Sequence, residues 1–353
     1  MSHPFLRKPI SPGVTSSSLP RHYSLVDLVS IGLGGTVGSG IFVLSGFIAR
    51  TYAGPATSLS FLLSGCCAAL SGCCYAELST YITTSGSAYA YAYATLGELP
   101  AVVAAGCLTL EYGVSAAAVA RSWGDKVLEW LVVELEAGPW AAEVLAPAGP
   151  DGFNPLAGIL SALTVWLLVK GVKESKSVTN FVTMVKVFVV IFMTVGGFFL
   201  FDSANLSPYV PPEFGTAGVL RGATSSFFAY LGYDEVCCVA GEAVNPLTDV
   251  PTAVMGVIAT VAVLYCLAAV SLTAMQPYSL VSETSGFADA FHYRGVQWAA
   301  QVAALGEVLT LPLVVLVSLL AQPRVFYQMS VDGLLPPVWR EVDAGGNLKK
   351  GIL

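Results

Sequence analysis

The sequence predicts an all-α polytopic membrane protein with about eight transmembrane helices. The first observation is composition: 55% of the 353 residues are hydrophobic and 11% are charged, where an average soluble domain carries about 25% charged residues. The second is length. Eight stretches, 24–48, 57–81, 99–122, 155–170, 178–201, 217–240, 252–275 and 296–322, approach the ~20 apolar residues that a helix needs to cross the hydrocarbon. The third is that these stretches are too long for barrel strands, and helices satisfy their own backbone hydrogen bonds in lipid.

In chain order, residues 1–20 (MSHPFLRKPISPGVTSSSLP) read as a flexible tail, with no apolar core of the kind a cleaved signal peptide needs. The first span contains IGLGGTVGSGIF, with glycines at 32, 34, 35, 38 and 40. The second repeats SGCC at 64–67 and 71–74, placing small side chains on one face for close helix packing. Segment 82–98 reads as a loop with a short interfacial helix carrying Tyr89, Tyr91 and Tyr93. Segment 123–154 is the longest loop, and WGDKVLEWLVVELEAGPW within it predicts an amphipathic surface helix. GVKESKS (171–177) is a short basic turn, and 202–216 is Pro-rich. In segment 241–251, Pro246 and Pro251 are expected to prevent helix continuation.

An even number of spans puts both ends on one side. That side then holds ten basic residues: Arg7, Lys8, Arg21, Lys170, Lys173, Lys176, Arg324, Arg340, Lys349 and Lys350. The other holds five: Arg50, Arg121, Lys126, Arg221 and Arg294. The positive-inside rule places both termini in the cytosol. Asn205-Leu206-Ser207, on the opposite side, matches an N-glycosylation sequon. The net charge of −7 comes with no basic stripe, so no nucleic-acid partner is expected. All eight cysteines lie inside spans and form no extracellular disulfide framework. There is no His-rich metal cluster, nucleophile elbow or phosphate loop, so the chain reads as a non-enzyme with no metal and no cofactor.

The chemistry is expected at two helix interruptions. Gly38-Ser39-Gly40 is denser in glycine than a packing seam requires. Unwinding there frees backbone N–H groups at a half-helix N-terminus, which suits a carboxylate. The sixth span, SSFFAYLGYDEVCCVAGE, has Gly232 in its middle, and freed carbonyls there suit an ammonium group. Matching interruptions in the two halves of a transporter point to a midplane site. Ionisable residues inside spans are functional candidates by default: Glu111, Lys186, Asp234 with Glu235, and Glu307, whose neighbours in sequence offer it no partner. For Glu111, a cation-pairing role and a structural bond to another helix both stand open. Burial penalises an ammonium charge, which makes Lys186 a candidate for proton coupling.

These residues resemble the cationic amino acid transporters of the amino acid–polyamine–organocation superfamily. The likeness rests on HYSLVDLVSIGLGGTVGSGIF (22–42), YAELSTYITTSGSAYAYAYATLGELPA (75–101), LEYGVSAAAVARSW (110–123), SSFFAYLGYDEVCCVAGEAVNP (225–246) and QPRVFYQMSVDGLLP (322–336). It implies a leucine-transporter-like fold built as a five-plus-five inverted repeat. Residues 21–201 would then be the first repeat, 202–322 a partial second repeat, and 323–353 a cytosolic loop at a truncated end. The resemblance places the substrate carboxylate at Thr36, Gly38, Ser39 and Gly40. It places the amino group and side chain at Phe228, Ala229, Tyr230 and Gly232. It gives Glu111 functional weight, and it sets Lys186 where relatives of another kind hold a sodium ion. The chain departs from the pattern at Gly241-Glu242-Ala243, where relatives carry consecutive acids, and at Glu307, where they carry none. Glu307 and Asp234 are therefore the candidate side-chain pocket.

The resulting expectation is sodium-independent transport of amino acids in a lipid bilayer, arginine and lysine first, with a proton as coupling ion. A carrier for neutral amino acids or polyamines is the alternative within the class. A truncated, non-transporting membrane sensor or assembly protein is the alternative outside it, because the second repeat holds three of its five helices.

Overall fold

The computed structural model describes residues 7–8, 19–133, 145, 152–170, 175–343, 348 and 351. Among these, five helical stretches are long and apolar enough to cross a membrane: Ser39–Tyr81, Glu98–Val132, Lys176–Phe199, Pro246–Met275 and Gln297–Val331. Two shorter apolar helices, Leu25–Thr36 and Pro155–Lys170, accompany them. Large apolar side chains such as Leu70, Leu110, Phe188 and Phe199 point outward, a surface that lipid covers and water would not. The protein is an α-helical membrane protein.

The first span is three pieces, α1 (Leu25–Thr36), α2 (Ser39–Phe42) and α3 (Leu44–Ile48). There follow α4 (Thr57–Tyr81), α5 (Ser87–Thr95), α6 (Glu98–Val133), α7 (Pro155–Lys170) and α8 (Ser175–Phe199). The sixth span is α9 (Gly215–Phe227) and α10 (Glu235–Cys238) with a break between them, and α11 (Pro246–Met275), α12 (Gly286–Tyr293) and α13 (Gln297–Val331) complete the set. α4 runs along α11, α6 along α13, and α1 sits between α8, α11 and α13. The helix that carries the glycines is thus central.

Several boundaries differ from those expected. α6 continues unbroken to Val133, so residues 123–133 extend the third span, not a separate surface helix; most of the remaining loop, like most of the tail and of the 171–177 turn, lies outside the described residues. Pro246 opens α11 at a position where a missing N–H costs nothing. Pro251, Pro312 and Pro323 lie inside helices; the Val308 carbonyl that Pro312 frees accepts from Trp123 Nε1 of α6 at 2.8 Å. α5 forms as expected, but Tyr89 and Tyr91 are buried and do not face an interface. Within the two SGCC repeats of α4, Ser64, Gly65 and Gly72 are buried, while the four cysteines are exposed. Ser64 accepts or donates at 2.5 Å with Ser226 and donates to Ala223 O at 2.7 Å, so this face packs on α9.

At the α1 entry, Ser24 caps the helix through Asp27, whose Oδ2 accepts from Ser24 N at 2.8 Å. Just before it the chain pairs with the end of the sixth span. His22 N and Tyr23 N donate to Glu242 O at 2.8 and 3.1 Å, and Val244 N donates to Tyr23 O at 2.9 Å.

Candidate functional site

The first break is two residues long, Val37 and Gly38, with Ser39 and Gly40 already helical. It lies slightly earlier than the Gly38-Ser39-Gly40 stretch suggested. Helix restarts at Ser39, so the N–H groups of Ser39 and Gly40 have no preceding helical carbonyl to meet. The second break runs from Leu231 to Asp234 between a short 3-10 turn, Phe228–Tyr230, and α10. Gly232 there has φ +122, a conformation that side chains disfavour.

The two breaks touch. A Cβ on Gly232 would stand 2.7 Å from Thr36 N, and one on Gly40 would overlap Ala229. Thr36, Gly38, Ser39, Gly40, Ala229 and Gly232 therefore come together. Val314 of α13 covers this place: a Cβ on Gly38 would meet its Cγ2 at 2.6 Å. The Thr36 hydroxyl donates to Gly32 O at 2.7 Å, and Thr36 O accepts from Tyr265 Oη at 2.8 Å. The Tyr230 hydroxyl donates to Phe61 O at 2.8 Å, away from the breaks. Phe228 is half-buried beside them.

The titratable residues divide into three places. Lys186, fully buried on α8, donates to Gly34 O at 2.6 Å, one turn before the first break. Asp234 closes the second break, accepting from Tyr112 Oη at 2.5 Å and from Gly232 N at 3.3 Å. Glu111 is one residue before Tyr112 on α6. Glu307 lies elsewhere and does have a partner: it is ion-paired with Lys126 of α6, and Lys126 Nζ also donates to Thr284 O at 2.9 Å. It sits seven residues, roughly 10 Å of helix, before Val314. Asn205 is in a 3-10 turn with its amide donating to Ala274 O at 2.9 Å, so the sequon amide is engaged.

Sequence reasoning did not single out Val314, Tyr265 or Ser318, since apolar and hydroxyl residues in a span carry no local signal. Nor did it assign a role to Glu235, which follows Asp234 and is 3% exposed. No cluster that could hold a metal ion is present among the described residues.

The chain matches the family described as amino acid permease over residues 23–352. The chain belongs to the amino acid permease family. Among its relatives, the chain is 36% identical to the vacuolar cationic amino acid transporter 4 of Arabidopsis thaliana over 92% of this chain and 55% of that one. It is 36% identical to the methylthioribose transporter of Bacillus subtilis over 97% of this chain and 75% of that protein. It is 33% identical to the human cationic amino acid transporter 4 over 98% of this chain and 56% of that one. The chain thus spans about half the length of the cationic transporters it matches. A crystal structure of MhsT in complex with L-phenylalanine superposes with TM-score 0.63 at 16% identity, over 88% of this chain and 75% of that one. That likeness is one of fold, the leucine-transporter-like fold. Membership also agrees with the expectation that the chain is not an enzyme.

Proposed function

We propose that this chain carries the substrate-binding spans of a sodium-independent amino acid carrier, with cationic amino acids as the first substrates. The observation that supports it best is the contact of the two helix breaks at Thr36 and Gly232. The N-terminus of α2 offers N–H donors and a positive dipole end to a carboxylate. The second break offers carbonyls to the ammonium group, and alternating access would move one helical repeat against the other around that point. Under this reading Thr36, Gly38, Ser39 and Gly40 meet the carboxylate, while Phe228, Ala229, Tyr230 and Gly232 meet the amino end.

The preference for a cationic side chain rests on Asp234, which closes the second break, and on Glu111, one residue before the Tyr112 that donates to it. The names of several relatives, such as those from Arabidopsis thaliana and human, agree with it. The Bacillus subtilis relative, named a methylthioribose transporter, favours a second reading in which the solute is uncharged on its side chain. Lys186 at the first break is assigned to proton coupling, and both termini to the cytosol. Asn205 would require its amide to be freed before glycosylation.

Uptake of labelled arginine, leucine and putrescine into proteoliposomes separates these readings. Arginine uptake blocked by excess lysine is the expected result. Uptake of leucine alone would sink the cationic assignment, and no uptake or binding of any of the three would sink the carrier reading for this chain.

A further inference from the structure

Glu235 is a buried carboxylate aimed at the first helix break from the opposite span. Its Oε1 accepts from Ser318 Oγ at 3.0 Å. Its Oε2 is enclosed without a hydrogen bond. That oxygen lies against the Gly35 backbone, where any Cβ would collide with it. Glycine at 35 is thus what leaves room for the carboxylate. One residue earlier, Gly34 O takes the Lys186 ammonium at 2.6 Å. An acid and a base, each wholly enclosed, therefore bracket two successive peptides of α1, directly before the helix opens at Val37.

The surrounding charges single out this pairing. Glu235 and Lys186 reach α1 from α10 and α8 at adjacent residues, Gly35 and Gly34. Asp234 caps the start of α10 beside Glu235, and Glu111 precedes Tyr112 on α6. Asp234 is held by Tyr112. Of the other elements around α10, α5 brings the buried Tyr91, α11 turns Tyr265 to Thr36 O, and α13 holds Arg324 on Glu242. A charge in a low-dielectric interior costs several kcal/mol unless an opposite charge offsets it. Lys186 spends one donor on a neutral carbonyl, which offsets only part of that cost.

We propose that Glu235 is the counter-ion that holds Lys186 in its charged form and so positions the first break. This rests on the reading of Lys186 as the proton-coupling residue. Loss of the proton from Lys186 leaves Glu235 as an unbalanced charge against Gly35, which loosens the contact of α10 with α1. Glu235 is a positioning residue; it acts on the substrate site through Lys186 and the α1 backbone.

The test reads the lysine directly, in purified full-length chain labelled with 13C at the lysine ε-carbon, with Lys186→Arg identifying the signal. In Glu235→Gln, Lys186 is expected to titrate about one to three pH units lower than in the unaltered chain. Equal midpoints in the two proteins overturn the proposal. Should Glu235→Gln fail to fold, infrared spectra of Lys186→Met give a second reading. There the Glu235 carboxyl is expected as the protonated acid at a pH where the unaltered chain shows a carboxylate, and a carboxylate in both overturns it. Neither titration needs substrate, so failure of the carrier reading, registered by absent uptake, is distinguishable from failure of this pairing.

Discussion

The Arg324 guanidinium grips both carboxylate oxygens of Glu242, Nε to Oε1 at 3.0 Å and Nη2 to Oε2 at 3.4 Å. Both residues are buried, and His22 approaches the same carboxylate at 3.9 Å. The pair ties α13 to the end of the sixth span, whereas Lys126 and Glu307 tie α13 to α6. Removing one partner of a buried pair strands the other charge at a cost of about 3–5 kcal/mol. Arg324→Ala is therefore expected to lower the thermal unfolding midpoint in detergent strongly. Arg324→Lys should fall between, since an ammonium cannot grip both oxygens. A midpoint unchanged by Arg324→Ala would contradict the arrangement.

Gly232→Ala should abolish ligand-induced stabilisation and destabilise the fold by about 1–3 kcal/mol, the cost of a residue held in a sparsely populated conformation. Both its φ of +122 and its approach to Thr36 N argue this. Gly256→Ala is the control, because a Cβ there meets nothing within 4 Å. Thermal stability of the two variants, with and without arginine, decides the matter; equal behaviour would refute the role of Gly232.

Gly38→Ala puts a methyl 2.6 Å from Val314 Cγ2. Binding should fall by one to two orders of magnitude, about 1.4 kcal/mol for each. Val314→Ala removes the obstructing methyls and should recover part of that loss in the double variant. Absence of recovery would mean that position 38 acts through the ligand alone.

Glu307→Gln tests selectivity. Its charge is already taken by Lys126, so the ratio of arginine to leucine uptake should not change. Lys126→Met should destabilise the protein by about 3–5 kcal/mol, and the double variant with Glu307→Gln should regain most of it. A collapse of arginine preference in Glu307→Gln alone would restore Glu307 to the substrate pocket.

Lys186→Ala should flatten the pH dependence of uptake, because the residue that changes charge next to Gly34 is gone. The comparison is uptake across external pH in matched proteoliposomes. A profile superimposable on that of the unaltered chain would remove Lys186 from coupling.

How much of this was legible in the sequence follows from the physics of each signal. Hydropathy carried the membrane assignment because lipid demands long apolar runs. The breaks were visible as glycine density, but their bounds were not. Gly32, Gly34 and Gly35 are glycines inside an intact helix, admitting Val257, Thr183 and Glu235, and composition does not distinguish a packing glycine from an unwinding one. Prolines misled in the opposite direction: Pro246 and Pro251 suggested stops, yet a helix runs from the first and through the second. The partners of Glu307 and Glu235 lie far away along the chain, at Lys126 and at Gly35, and only the packing of helices brings them close.

The main-chain pairing of His22 and Tyr23 with Glu242, and of Val244 with Tyr23, has a mechanical meaning. Three peptide hydrogen bonds bolt the entrance of one broken span to the exit of the other. At that end the two cannot swing independently, so they behave as a single rocker with a shared pivot. Its stiffness is a property of the backbone, indifferent to side-chain substitution at those positions.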